Sequence, residues 1–287
     1  MWCLWAVTLI WAFSFSLIDV YIAGQVDSYF AVLSRMILAC FVFLPLLRPI
    51  PVRLAASLAA IGAIQLGLMF TLLYHAFAFL SVPEVLLFTV MTPVWVRVLE
   101  DLRVRRFEPK GLWLAASAVL GAVIIRYEPL EGNFWLGFAL VQGANLCFAF
   151  GQVAYRGLAS AHTVPKHQAF GWFFIGALVL AALNWIVLGN AERLPTSLLQ
   201  WSVLTWLGIV ASGLGYFGWN FGATRVSASQ LAVMNNVLIP AGILVNLLLW
   251  NKEADLLRLS LGGAVMLLSL WLCWERSAPA RGTVSAK

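Results

Sequence analysis

The sequence predicts an all-α, polytopic membrane protein, and three observations carry that prediction. Of the 287 residues, 62% are apolar and only 10% charged, against roughly 25% charged in a soluble domain. The mean hydropathy is +0.92. The apolar residues gather into about ten runs close to the length that crosses a bilayer, and none alternates as a strand would.

Taken in order, the expected helices cover 2–22, 27–47, 52–79, 82–99, 111–126, 132–156, 168–188, 198–222, 226–249 and 256–274. The opening run, "MWCLWAVTLIWAFSFSLI", lacks a basic leader and is too long for a secretory signal, so it reads as the first span. "RPIPVR" at 48–53 ends the second span and starts the third, because proline stops one helix and is tolerated at the start of the next. "EDLRVRRFEPK" at 100–110 and "YEPLEGN" at 127–133 bracket the fifth. No connection is long enough for a soluble domain, and "ERSAPARGTVSAK" at 275–287 has the composition of a disordered cytoplasmic tail.

The net charge of +6 orients the chain rather than pointing to nucleic acid. With ten spans and the N-terminus inside, twelve of the 18 Lys and Arg fall in inner loops or the tail and four in outer loops; the remaining two, Arg35 and Arg97, lie within spans. The positive-inside rule then places both termini in the cytoplasm. The four cysteines form no metal or redox spacing and read as packing residues.

Aligning "LLFTVMTPVWV" (86–96) with "VMNNVLIPAGI" (233–243) on Pro93 and Pro240 gives an offset of 147, which carries Ala115-Ala116 onto Gly262-Gly263. The chain then divides into a first five-helix repeat over 1–127 and a second, entering from the opposite face, over 128–274. Inverted repeats of this kind belong to transporters, with a substrate site near the midplane between the halves. The pieces "WAFSFSLI" (11–18), the Arg of "VLSRMILA" (32–39), "GLGYFGWNFGATRVSASQLAV" (213–233), Pro240, Glu253 and Gly262 resemble the EamA-type members of the drug/metabolite transporter superfamily. That resemblance implies ten helices around a central cavity and export of amino acids, related carboxylates and amines, or drugs. One departure stands out: thirteen residues after Pro240 is Glu253, but thirteen after Pro93 is Arg106.

Polar side chains inside a membrane turn to protein or to a watery cavity. Gln142, Asn145 and Gln152 fall within roughly an 80° arc of the sixth helix. Tyr216 and Asn220 share a face of the eighth with Trp219 beside them, and Asn235 and Asn236 interrupt the ninth. As a set they are expected to line a cavity; singly, each could instead join two helices. Arg35 lies roughly 12 Å inside the second span. It is expected to meet a substrate carboxylate or a fixed partner among Asp19, His75 and Glu84. Pro83-Glu84 also has the form of a helix start, and His75 is either a proton carrier or a packed side chain. Trp11 and Ser14 in the first span, with Tyr74 and Phe88, complete the candidate substrate-binding set.

No GxxxxGK[ST], HExxH or GxSxG occurs, so neither direct use of ATP nor an intramembrane enzyme is expected, and no cofactor or metal. The expected partners are a small-molecule substrate and the lipid bilayer, with no nucleic acid. Proton coupling and metabolite exchange stay open, as do monomer and homodimer. Export of cationic drugs and a non-transport scaffold are the competing functions.

Overall fold

The computed structural model describes residues 2–104, 132–161, 165–226 and 228–250, with isolated positions between 257 and 268. Among the described residues there are helices and no strands. Seven helices are long and apolar enough to cross a membrane: Trp2–Ile22, Ser28–Leu46, Val52–Ala76, Val82–Arg103, Phe134–Ala159, Lys166–Leu188 and Leu198–Ala223. A further helix, Ala228–Trp250, follows. These are the first four, the sixth to eighth and the ninth of the expected segments, and ordinals below keep that count.

The fifth expected span, the pairs Ala115-Ala116 and Gly262-Gly263, Glu253, Arg106 and the tail all lie outside the described residues. The described residues therefore hold seven spans rather than ten, and the repeat of two five-helix halves is not established by them.

The helix ends follow from local chemistry. Asp27 caps the second span, its carboxylate accepting from the Phe30 amide at 2.8 Å and from the Asn190 amide at 3.2 Å, which also ties two loops together. Ser197 and Gln200 form a capping box at the start of the eighth span. Gly24, at φ +73°, turns the chain between the first two spans. The third and seventh spans approach backbone to backbone. A Cβ at Gly62 would lie 1.8 Å from the Phe173 carbonyl oxygen, and one at Gly176 1.9 Å from that of Ala59. Small residues give such contacts in lipid, where apolar burial does not drive helices together.

Three spans contain π-helical turns, at Ile18–Ile22, Ala63–Leu68 and Leu207–Leu214. A π turn widens the helix and releases backbone carbonyls from the regular ladder, and such turns recur at functional sites. The fourth span is interrupted by a 3-10 turn, Thr89–Met91, just before Pro93.

Among the described residues, the two ends of the bundle differ in charge. Where the second span ends and the third begins stand Arg48 and Arg53, and the same end carries Arg103, Arg156, Lys166 and Arg225 against Glu100 and Asp101. The opposite end has Arg193 against Asp19, Asp27, Glu84 and Glu192. Phe43, Phe170, Phe174 and Phe217 pack together towards the cation-rich end, with Phe43 and Phe174 stacked at 5.2 Å. Of the cysteines, Cys147 is buried, Cys40 half-buried and Cys3 exposed, so Cys3 is not a packing residue.

Candidate functional site

Arg35 is the side chain around which the centre is built. It is 1% exposed and lies within the second span, Ser28–Leu46. Its Nε donates to Ser212 Oγ at 3.0 Å and its Nη1 to Tyr74 Oη at 3.1 Å. The guanidinium carbon lies 3.9 Å above the Phe70 ring, where the π cloud favours a cation. Among the described residues no carboxylate pairs with it; Glu100 and Asp101 pair instead with Arg156 and Arg97. A guanidinium has five N–H donors. The hydrogen bonds to Ser212 and Tyr74 use two of them, and the rest of the fork has no partner among the described residues.

The eighth span makes this geometry. Ser212 lies in the π-helical turn Leu207–Leu214. Gly208 lets that turn close on the second span, since a Cβ there would lie 3.3 Å from the Arg35 Cα and 2.7 Å from the Leu38 Cβ. The same turn gives Trp11 its partner: the indole Nε1 donates to the Ala211 carbonyl at 3.0 Å. Trp11 then packs on Tyr216 at 4.8 Å, Trp219 at 4.9 Å and Phe148 at 5.8 Å.

Beside Arg35 opens a narrow cavity, with about 670 Å³ of space between atoms once the open solvent at its mouth is included. Trp11, Ser14, Phe15 and Ile18 come from the first span, Arg35 from the second and Met69, Phe70 and Leu73 from the third. Thr89 and Thr92 come from the fourth, Ala144, Asn145 and Phe148 from the sixth, Tyr216 from the eighth, and Asn235 and Leu238 from the ninth. The wall is mainly apolar and aromatic, it has one cation, and no acidic side chain among the described residues lines it.

Six of the sequence-predicted residues thus meet in one place: Trp11, Ser14, Arg35, Asn145, Tyr216 and Asn235. Asn235 is 7% exposed and faces the cavity, not lipid. Ser14 is engaged locally, donating to the Ile10 carbonyl at 3.0 Å. Asn145 donates to the Phe88 carbonyl at 2.9 Å and accepts from Thr92 at 3.3 Å. It therefore also braces the fourth span where the Thr89–Met91 turn interrupts it.

The other predicted residues stand elsewhere. Gln142 bonds Trp95 and the Phe88 carbonyl and does not line the cavity. Tyr74 supports Arg35 from behind. Phe88 is fully buried against Phe134 and Phe138. Trp219 lies behind Trp11, and Asn220 donates to the Tyr216 carbonyl at 3.0 Å within its own helix. Gln152 is buried one turn beyond the cavity. Glu84 closes a capping box, accepting from the Ser81 amide and hydroxyl at 2.8 Å each. His75 contacts the Thr71 carbonyl at 2.7 Å and the Tyr29 ring. Neither Glu84 nor His75, nor Asp19, pairs with Arg35. The Asn236 side chain lies outside the described residues. Ser212, Phe70, Phe148 and Thr92 were not predicted. A hydroxyl in a π turn and apolar lining residues carry no signal that separates them from packing.

No family model matches the chain. Curated relatives do. A probable biotin transporter of Pseudomonas aeruginosa is 53% identical over 270 residues, covering 93% of this chain and 94% of that protein. A biotin transporter of Salmonella typhimurium is 48% identical over 275 residues, covering 95% and 92%, and one of Escherichia coli K12 is 46% identical over the same shares. The chain belongs to the biotin transporter family. It is a bacterial multi-pass membrane transporter of a small molecule, and not an enzyme.

That membership overturns the EamA-type resemblance, because near-complete relatives at 46–53% identity carry the biotin transporter name instead. It also removes amino-acid and drug export as readings. A crystal structure of another protein superposes with a TM-score of 0.65 at 18% identity, covering 94% of this chain and 96% of that one, which shows the fold alone.

Proposed function

We propose that the chain carries biotin across the bacterial inner membrane by alternating access, holding it in the central cavity with its carboxylate on Arg35. One observation carries this reading. A fully buried arginine, held through Nε by Ser212 and through Nη1 by Tyr74, has its other donors without a partner among the described residues, beside a cavity that no described acid lines. A planar fork suits a carboxylate, and an unpaired buried charge is costly unless a ligand completes it. Biotin is an anion with an apolar chain, a ring sulfur and a ureido group. The anion matches Arg35, the chain and sulfur match Met69, Phe70, Leu73 and Phe148, and the ureido group matches the amide of Asn235. The relatives named as biotin transporters support the same substrate.

An ammonium group, of an amino acid or a cationic drug, would find no described acid in this cavity. Glu84 and His75, the nearest candidates for proton carriers, are engaged outside it, which favours uniport or exchange over proton coupling. The cation-rich end of the bundle supports a cytoplasmic location for that end and for both termini. The opposed directions of the Pro93 and Pro240 helices, and the contact that Leu86 makes at Gly242, support two inverted halves over 1–127 and 128–274.

The test is radiolabelled biotin with the purified protein in liposomes. Saturable uptake and counterflow, displaced by unlabelled biotin but not by amino acids or cationic dyes, are expected. An absence of biotin binding and flux refutes the reading.

A further inference from the structure

Between the central cavity and the cation-rich end, the helices that line the cavity carry buried polar atoms with no hydrogen-bond partner among the described residues. On the sixth span Asn145 and Phe148 line the cavity. One turn on, Gln152 is 1% exposed, and neither its amide oxygen nor its nitrogen has a hydrogen-bond partner among the described residues. One turn further, Arg156 lines a second cavity. At 100° per residue these four positions fall within roughly 80° of one another, on a single face. The eighth span repeats the order. Tyr216 lines the first cavity, Trp219 and Asn220 follow with Nε1 and Oδ1 buried and unpartnered, and Thr224 lines the second.

The second cavity has about 810 Å³ of free space, its mouth included. Arg103, Arg156 and Lys166 surround it with Glu100 as the one acid among its described lining residues. Lys166 reaches across it to the Thr224 hydroxyl, and Arg156 stands 3.7 Å from Glu100 with its Nη1 making no hydrogen bond. Gly157 leaves room for the Arg103 guanidinium, whose Nη1 lies 3.0 Å from where a Cβ would be.

A wall that stays sealed is more stable with leucine than with amides lacking partners. Amides at this level make sense if the layer opens to water and cargo. We propose that Gln152 and Asn220 line the closed inner section of the substrate's route, which joins the central cavity to a basic vestibule, formed by Arg103, Arg156 and Lys166, that receives the carboxylate. The carboxylate as cargo rests on the biotin reading; the route itself rests on the unpartnered amides and the two cavities.

The full-length protein is tested as Gln152→Leu, Gln152→Asn, and Arg156→Gln combined with Lys166→Gln. Equilibrium binding of radiolabelled biotin is measured in detergent, and biotin counterflow in liposomes. Binding is expected within about twofold of the parent in all three. Counterflow is expected to fall by about tenfold or more in Gln152→Leu and in the double variant, and to recover largely in Gln152→Asn. Parental counterflow in Gln152→Leu, or loss of its binding, overturns the route. A double variant slowed in anionic-lipid but not in neutral-lipid liposomes overturns the vestibule, since its cations then serve lipid headgroups. A parent that binds no biotin refutes the substrate and leaves the route to a second readout. That readout is Gln152→Cys in a chain with Cys3, Cys40, Cys147 and Cys273 changed to alanine, probed with a membrane-impermeant maleimide in inverted vesicles. Labelling is expected, and its absence overturns the route.

Discussion

Replacing Arg35 with glutamine removes the cavity's only described cation while keeping a side chain long enough to reach Ser212, whose partner is Nε. In the parent, those two hydroxyls and the Phe70 ring fix the guanidinium before any ligand arrives. Little ordering is then left for binding to offset. Truncating one member of a buried, hydrogen-bonded charge pair costs about 2–5 kcal/mol. Glutamine still offers one neutral donor, so the lower part of that range applies. A loss of about 2–4 kcal/mol corresponds to roughly 30- to 1000-fold weaker biotin binding. The assay is equilibrium binding to purified parent and variant of biotin and of biotin amide, in which the charge is gone but the rings remain. The amide is expected to bind the parent poorly and to lose little further on Arg35→Gln. Because the pair is buried, the difference for biotin is expected to persist at high salt. Equal affinity of parent and variant for biotin, or equal affinity of the parent for biotin and its amide, refutes the reasoning.

Three further outcomes follow from the same geometry. Ser212→Ala removes the acceptor for Arg35 Nε and is expected to weaken biotin binding by about 1 kcal/mol, or roughly fivefold, in the same binding assay. Glu84→Gln should leave biotin counterflow within about twofold of the parent. It weakens a helix cap, lowering stability in a thermal melt by about 0.5–2 kcal/mol. Gly176→Ala places a methyl group 1.9 Å from the Ala59 carbonyl oxygen. That backbone contact has no side chain to give way, and a loss of about 1–3 kcal/mol or more is expected as a lower melting temperature and lower membrane yield.

The spans were legible because composition and loop punctuation suffice for them. Prolines and arginines at 48–53 mark ends that the structure keeps within a few residues. Arg35 was legible by its depth alone, since a charge that far into a span must have a purpose. Asn235 and Tyr216 were legible as polar groups on helices with nothing polar to meet. Helical periodicity says which face a residue occupies, not which neighbour occupies the space beyond it. Gln142 and Asn145 share a face, and both amides donate to the Phe88 carbonyl at the 3-10 turn of the fourth span, a partner that no sequence pattern announces. Glu84 reads equally as a cap and as a site residue until the Ser81 contacts are seen. Ser212 has no sequence signal, because its role depends on a π turn that no residue pattern announces. The EamA-type resemblance failed for a related reason: short apolar pieces in order describe a membrane bundle, whereas near-complete identity with curated relatives describes a family.

The central claim is that Arg35 meets the carboxylate of biotin inside the membrane. An experimental structure of the protein with biotin bound tests it most directly. The account predicts the carboxylate within hydrogen-bond distance, about 2.7–2.9 Å, of the guanidinium nitrogens that Ser212 and Tyr74 leave unengaged, with the rings reaching toward Asn235. Biotin bound elsewhere, or in this cavity with its carboxylate turned away from Arg35, would contradict it.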